Sequence, residues 1–445
     1  MSLLGSLHLI NARLPLAEGS PAQLYELTAA NGFWQSVNPQ QEHGIIRDHG
    51  SIPLEDVQLA CSTSASRTID LGGKMLLPGL VEAHAHLDKA FTSGIVRNDS
   101  GTLGEAIRNY SAAIPQFTRE ALVARIHKAA LRAAAGGATA IRSHVHFPFE
   151  HGREAAFRLV HAALEARELL SGIVDIQYVL FVPSRGHTPA MWEAVDEAMQ
   201  AGMDAVGGAP HIADEPEAYL ERLFAIARKY NKDVDLHADE TDDPQVQTVS
   251  AIATATIRND YQGKVVVGHL CSLSAIEESR AAAIIDNMAL AQLKVITLPA
   301  TNLYLQGRGD KGLVRRGVTR VKELMAAGIP VATASDNVQD PFHPYGSGDL
   351  LQIGLLTGYA VQMGSADDAH TLLRMLSTIP ASLIGLKQYG IKPGLPARFV
   401  VFDAQSPIEL FAELPMNRWI YRDTRWLYHS RQLSEWIQHT EEVGF

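Results

Sequence analysis

Cysteine is nearly absent from the sequence, since Cys61 and Cys271 are the only two among 445 residues. So few cysteines exclude a disulfide framework and are typical of a protein from a reducing compartment. The sequence also lacks any uninterrupted apolar run of about 18 residues, so it predicts no membrane-spanning helix. Its first residues contain no basic segment of the kind that precedes a cleavable signal. These absences predict a cytoplasmic protein.

Positive charge is in deficit, with 38 Lys and Arg against 49 Asp and Glu and a formal net charge of −11. Such a charge argues against a nucleic-acid polymer or an anionic membrane as the partner. A small neutral or cationic substrate agrees with it better. Apolar residues make up 46% of the chain, a share typical of globular proteins that bury a large core.

Solenoid repeats and low-complexity segments are also missing, and the chain divides instead by its pattern of apolar residues. From residue 77 to 389, alanine-rich helical stretches alternate with about eight short apolar runs. This alternation predicts an α/β fold, a (β/α)8 TIM-like barrel. The two ends, 1–76 and 390–445, have short strand patterns separated by Gly, Pro and Ser. We expect them to form one small composite β-sandwich domain, because chain ends often lie close together in space.

Metal-competent side chains stand at the ends of several of these apolar runs. His84 and His86 follow the first run and share one side of an extended chain. His237, His269 and Asp336 each end a later run, and the carboxyl ends of barrel strands meet at one face. Any one of these histidines alone is better explained as a core residue or one that supports a ligand. The four strand ends together predict a divalent-metal site.

With Glu240, three residues after His237, these residues occur in an order that resembles the amidohydrolase superfamily. The segments 302–308, 315–324 and 336–346 are similar to its cytosine deaminase-like branch, and 86–94 also resembles the N-isopropylammelide hydrolases of that branch. The similarity runs from about residue 70 to 400. Members with two metals have a carboxylated lysine near the end of the fourth strand, and the corresponding segment 205–212 has no lysine. One metal is therefore predicted.

The resemblance also implies a role for each residue. His84, His86, His237 and Asp336 would bind one divalent ion (Zn or Fe, with Mn also compatible), Glu240 would shuttle a proton, and His269 would orient the metal-bound hydroxide. The chemistry is consistent, because a metal ion brings the pKa of its bound water to about 7 and a carboxylate can carry the released proton. The alternative for Glu240 is a helix N-terminal carboxylate stabilised by the helix dipole.

The predicted activity is that of a metal-dependent aminohydrolase, a hydrolase of C–N bonds other than peptide bonds. Metal-bound hydroxide would attack a ring carbon of a small, cytosine- or pyrimidine-like nitrogen heterocycle and release its amine. One alternative is hydrolysis of an N-alkylamino triazine or a cyclic amide at the same site. Another, from a different class, is a non-catalytic barrel that only binds its ligand. Related enzymes are commonly oligomeric, and the sequence is compatible with a homo-oligomer.

Two positions depart from the cytosine deaminase pattern. A glutamine that reads the pyrimidine edge is replaced by Ser184 or Arg185, and a second aspartate after the metal aspartate is replaced by Asn337. A site built for one hydrogen-bonding edge discriminates strongly against other substrates, so these changes argue against cytosine itself. With His211 and Phe342 added, these residues form the predicted substrate-binding set.

Overall fold

The computed structural model describes residues 6–18, 22–41, 45, 51–56 and 68–435, so Cys61 lies outside the described residues. The strands, in chain order, are β1 (Leu7–Arg13), β2 (Leu24–Ala30), β3 (Phe33–Pro39), β4 (Ile52–Pro53), β5 (Thr68–Asp70), β6 (Met75–Pro78), β7 (Leu80–Ala85), β8 (Ala138–His146), β9 (Asp175–Phe181), β10 (Ala205–Gly208), β11 (Asp233–Ala238), β12 (Val265–His269), β13 (Lys294–Thr297), β14 (Val331–Thr333), β15 (Arg398–Phe402), β16 (Arg418–Arg422) and β17 (Arg425–Ser430).

The helices lie mainly between the strands of the middle region. In chain order they are α1 (Leu103–Ala113), α2 (Arg119–Ala135), α3 (Arg153–Leu169), α4 (Pro189–Ala201), α5 (Pro216–Tyr230), α6 (Thr248–Arg258), α7 (Glu278–Leu290), α8 (Pro299–Leu305), α9 (Val321–Ala326), α10 (Leu350–Ala360), α11 (Ala366–Met375), α12 (Thr378–Leu383) and α13 (Pro407–Glu413). None of them, within the described part of the chain, is both long and apolar enough to cross a membrane.

Strands β7 to β14 form one parallel sheet of eight strands in sequence order. The last strand returns to the first, since the Asp336 N–H donates to the His84 carbonyl oxygen at 2.9 Å and the His86 N–H donates to the Asp336 carbonyl oxygen at 3.0 Å. The predicted (β/α)8 barrel is therefore confirmed. Its closing contact involves three of the predicted metal-site residues, so the hydrogen bonds that close the barrel also fix His84 and His86 beside Asp336.

A second, mixed sheet combines both ends of the chain. It has nine strands, with β17, β16 and β15 joined through β6 to β1, β2 and β3, while β5 pairs with β1 and β4. The expected β-sheet domain from both termini is confirmed as part of the fold. Its limits at 1–76, 77–389 and 390–445 stay a prediction, and parts of 1–76 and 390–445 lie outside the described residues.

Three apolar cores hold this arrangement together. One fills the space between the barrel strands and their helices, and a second lies against the nine-stranded sheet around Trp34 and Phe399. The third lies inside the barrel, where Val81, Val266 and Ile296 pack against residues of α12 and its end. Because apolar side chains fill that part of the interior, the polar groups described below collect towards the carboxyl ends of the strands.

The glycine pair that ends β10 is required by close backbone packing. A Cβ atom on Gly207 would lie 1.8 Å from the Asp235 carbonyl oxygen of the neighbouring strand. We expect Gly207→Ala to lower the free energy of unfolding by about 1–3 kcal/mol, because the strands must move apart to accept the methyl group. Gly364→Ala is the control, since nothing lies within 4 Å of a Cβ there. Equal thermal unfolding midpoints for the two variants would contradict this expectation.

Candidate metal centre

Four side chains from three strand ends meet at the carboxyl face of the barrel. One potential ligand atom from each of His84, His86, His237 and Asp336 lies within 4.8 Å of the other three, and all four residues are buried. The His86 and His237 Nε2 atoms are 3.0 Å apart. Asp336 Oδ1 lies 3.3 Å from His86 Nε2 and 3.6 Å from His84 Nε2. The structure thus brings together the four residues that the sequence predicted as ligands.

The chemistry of this group fits a divalent cation. Both ring nitrogens of His84, the Nδ1 atoms of His86 and His237, and both Asp336 carboxylate oxygens are buried without a hydrogen-bond partner among the described residues. Burial lowers the pKa of all three histidines well below the ordinary value, and repulsion from neighbouring cationic groups adds to the effect. Neutral imidazoles and an unpaired carboxylate are what a bound cation needs. A cation would satisfy acceptors that otherwise stay unpaired at a cost in free energy.

A second possible group shares His84 and adds His144 and Asp235, deeper in the barrel. The Asp235 carboxylate already accepts a hydrogen bond from Arg142 Nη1 at 3.2 Å, and His144 Nε2 lies 3.5 Å from its other oxygen. Since the guanidinium balances the Asp235 charge, this group attracts a cation less than the first one does. The geometry therefore favours the set that contains Asp336.

Glu240 and His269 lie beside the four-residue group. Glu240 Oε1 is 3.7 Å from His269 Nδ1, and the glutamate side chain is 10% exposed. Burial raises the pKa of Glu240 above its usual value, while the charge of His269 acts in the opposite direction. His269 Nδ1 lies 3.0 Å from the side-chain oxygen of Asn302, which accepts its hydrogen. The His269 Nε2 atom has no hydrogen-bond partner among the described residues and lies 3.9 Å from Asp336 Oδ2.

The backbone at these strand ends adopts the left-handed region at residues other than glycine. The φ angles are +52° at Asp239, +68° at His269 and +61° at Asp336. Such conformations cost about 1–3 kcal/mol each and tend to occur at functional sites, where the surrounding structure imposes them. Here they turn the chain immediately after its strand.

The structure separates the predicted substrate-binding residues into two sets. His211 lies near the metal centre, with Nδ1 3.2 Å from the His237 carbonyl oxygen, and burial lowers its pKa to about 4. Phe342 lies over the ammonium of Lys89, with a distance of 4.8 Å from Nζ to the ring centroid. We call the region between these two residues and Glu240 the cleft.

The side chains of the other three predicted substrate-binding residues form hydrogen bonds or ion pairs within the protein. Ser184 Oγ donates to the Ala209 carbonyl oxygen at 2.9 Å. The Asn337 amide donates to Asp340 Oδ2 at 2.8 Å. Arg185 is exposed, donates from Nε to the Ile212 carbonyl oxygen and pairs with Asp214. The structure thus offers no support for Arg185 as a substrate-facing residue, because its guanidinium is held at the surface.

Several residues of the site were not singled out from the sequence. Phe181, the last residue of β9, has its ring centroid 4.8 Å from that of His237. Lys89 follows the His84–His86 segment and extends over the Phe181 ring. His144 has its ring 4.2 Å from that of His84. His144 and Phe181 could have been predicted in the same way as the ligands, because they stand at or near the carboxyl ends of β8 and β9, where the functional groups of a barrel lie.

The closed barrel and its buried three-histidine, one-aspartate group define a barrel protein with a candidate divalent-metal centre, and comparisons with known proteins give the family. The model described as "Amidohydrolase family" matches residues 92–415. A pterin deaminase from Rhizobium rhizogenes is 34% identical over 365 residues, which cover 79% of this chain and 80% of that protein. The chain belongs to the amidohydrolase family, so the predicted membership is confirmed.

Two solved structures resemble the whole chain. The 5-methylcytosine deaminase from Klebsiella pneumoniae, liganded with 5-fluorocytosine, superposes with a TM-score of 0.85 at 27% identity and covers 97% of this chain and 99% of its own. The N-isopropylammelide isopropylaminohydrolase from Burkholderia multivorans gives a TM-score of 0.76 at 25% identity, with 95% and 98% covered. The branch named from the sequence motifs, and the N-isopropylammelide hydrolases within it, are thus represented among the similar proteins.

Proposed function

We propose that the protein is a metal-dependent aminohydrolase that removes an exocyclic amine from a small nitrogen heterocycle. The observation that carries the proposal is the Glu240 carboxylate, which makes no hydrogen bond to the described residues and lies 3.7 Å from His269, beside four convergent ligand-competent groups. The expected enzyme class, a hydrolase of C–N bonds other than peptide bonds, agrees with the names of the similar proteins, which are deaminases and amidohydrolases. A barrel that only binds would not need an open carboxylate at this position.

In this proposal His84, His86, His237 and Asp336 hold one divalent ion, either Zn or Fe, with Mn also compatible. When bound, the ion would polarise a water molecule and lower its pKa towards neutrality. The unpaired ligand atoms and the depressed pKa values of the three histidines support this assignment. The group has three neutral ligands and one anionic ligand, so the bound centre would keep a net positive charge that favours an electron-rich attacking oxygen.

The protein's own residues would then move the protons. Glu240 accepts a proton from the attacking water and delivers it to the ring nitrogen next to the attacked carbon. It then takes the hydroxyl proton of the resulting tetrahedral adduct and gives it to the amine, so that the C–N bond breaks as the carbonyl forms. His269 Nε2, with its lone pair fixed by Asn302, accepts a hydrogen bond from the same water and orients it. The raised pKa of Glu240 suits this role, because a carboxyl group that takes up and returns a proton works best with a pKa nearer to neutrality.

A second candidate reaction, release of an alkylamine from an N-alkylamino triazine, is favoured by the similarity to N-isopropylammelide isopropylaminohydrolase. The two reactions share the attack on a ring carbon and differ only in the substituent on the leaving nitrogen. Hydrolysis of a cyclic amide would instead open the ring. The three reactions are separated by their products.

The test is a screen of aminopyrimidines, pterins and aminotriazines with protein loaded separately with Zn, Fe or Mn. We expect ammonia release from an amino-substituted heterocycle, measured by a coupled ammonia assay and by the change in ring absorbance. Alkylamine release without ammonia would favour the triazine reaction, and a new ring-opened product would favour the cyclic amide. No turnover of any compound by metal-loaded protein would contradict the proposal.

A further inference from the structure

A lysine ammonium is enclosed by aromatic rings next to the candidate metal centre. Lys89 is 8% exposed, and its Nζ lies 4.8 Å from the Phe342 ring centroid, 5.7 Å from that of Tyr110 and 5.8 Å from that of Phe181. Aromatic faces attract a cation, but they replace only part of the hydration that it loses on burial. The ammonium therefore needs a further partner.

The protein does not supply that partner among its described residues. Within the described part of the chain, no carboxylate oxygen lies within ion-pair distance of Nζ. Burial raises the pKa of Asp88, Glu240 and Asp340, and the charge of Lys89 offsets part of that effect in each. Asp88 Oδ2 accepts the His146 backbone N–H, and Asp340 Oδ1 accepts those of Phe342 and His343. Asp88 and Asp340 are therefore held by backbone N–H groups, Glu240 makes no hydrogen bond to the described residues, and none of the three forms an ion pair with the ammonium.

The position of this ammonium relative to the reacting centre is set by Phe181. Its ring lies 5.8 Å from Lys89 Nζ on one side and 4.8 Å from the His237 ring centroid on the other. The Phe181 ring centroid also lies 6.5 Å from that of His86. A flat heterocycle seated by Phe181 would thus have one edge at the metal centre and another edge at the ammonium.

We propose that Lys89 is a specificity-determining residue that binds an exocyclic carbonyl or amidate oxygen of the substrate, in a pocket formed by Tyr110, Phe181 and Phe342. The preferred substrates are accordingly amino-heterocycles that also carry an oxo group, and those without one are poor substrates. This inference rests on the proposed function, because it concerns the same cleft. A charge-assisted hydrogen bond from a buried ammonium to such an oxygen is stronger than a neutral one. An oxygen with partial or full negative charge is the partner that the ammonium lacks.

The experiment compares pairs of compounds that differ only in the oxo group. Cytosine is paired with 4-aminopyrimidine, and pterin with 2-aminopteridine. The wild-type protein is expected to prefer the oxo member of the pair that it accepts. Lys89→Met, which keeps most of the length of the side chain and removes its charge, is expected to lower kcat/KM for the oxo compound by about 10²-fold and to change that for its partner by less than about threefold. Lys89→Arg is expected to recover part of the preference.

Lys128→Met is the matched control, because Lys128 also lies over an aromatic ring, 4.2 Å from the Phe91 centroid, but is exposed on α2. It is expected to leave kcat/KM unchanged for both compounds. Metal content and the thermal unfolding midpoint of every variant show whether the fold is intact. A second measurement uses calorimetry on Glu240→Gln protein, in which turnover is prevented. Adding Lys89→Met to that protein should lower its affinity for the oxo compound.

The outcomes separate this inference from the proposed function. If the wild-type protein deaminates a compound and Lys89→Met selectively lowers kcat/KM for the oxo compound, the inference is supported. If the wild-type protein is active and Lys89→Met has equal effects on both members of the pair, the inference is wrong and the deaminase proposal stands. If the wild-type protein binds but does not turn over the oxo compounds, and Lys89→Met weakens that binding, the inference stands while the deaminase proposal fails.

Discussion

Glu240→Gln is expected to lower kcat by about 10³-fold, while metal content and thermal stability stay at the values of the parent protein. The glutamine amide has nearly the same shape as the carboxylate but cannot accept and return a proton. The Glu240 carboxylate makes no hydrogen bond to the described residues, and its nearest charged neighbour is His269 at 3.7 Å. The substitution therefore removes proton transfer and breaks no structural contact. Steady-state kinetics on the compound found in the screen, with metal analysis of the same sample, measure both parts.

The control for this substitution is Glu193→Gln, the same chemical change at an exposed position on α4. It should leave kcat within about twofold of the parent value, as is usual for surface substitutions far from a site. If Glu240→Gln keeps more than a tenth of the parent kcat with full metal content, Glu240 is not the proton shuttle. The helix N-terminal role that was the alternative from the sequence does not apply, because α6 begins at Thr248 and its first N–H groups donate to Asp239 instead.

The position of the candidate site could be predicted because a parallel barrel brings the ends of distant strands to one face. His84, His237 and Asp336 are far apart in sequence, yet each stands at the carboxyl end of a strand in the same ring. The alternation of apolar runs and helices located those ends without any knowledge of side-chain packing. The hydrogen bonds between β7 and Asp336 then set the spacing of the group, and no pattern in the sequence shows them directly.

The cleft was harder to predict, because loop geometry decides which way its side chains face. Ser184 and Asn337 were expected to face the substrate, but both use their polar atoms on neighbouring loop groups. Lys89 lies in the segment that the sequence had already marked, but its partners come from α1, β9 and the loop after β14. Such a pocket exists only after those three elements have packed together, so local sequence carries no sign of it.

The second large effect, a loss of turnover, is expected when the metal ion or one of its ligands is removed. Dialysis against a strong chelator should reduce turnover to background, and one equivalent of Zn, Fe or Mn per chain should restore it. His237→Ala should retain less than a tenth of one equivalent of metal after desalting and lose at least about 10³-fold in kcat. The reason is that the ion would keep only three of its four protein ligands and bind weakly. His161→Ala, an exposed histidine on α3, is the matched control and should bind metal as the parent does.

The same centre should appear in the unfolding of the protein, independently of any substrate. A ligand that binds only the folded state stabilises it by RT ln(1 + [L]/Kd), about 4 kcal/mol at a thousandfold excess over Kd. Adding metal should therefore raise the thermal unfolding midpoint of chelated parent protein and of His161→Ala, and should leave that of His237→Ala unchanged. The folded protein without metal keeps buried ligand atoms that lack partners, so the metal-free state is the less stable one. If the midpoint of His237→Ala rises with metal as much as that of the parent, the ion binds elsewhere, and the second group with His144 and Asp235 becomes the site to examine.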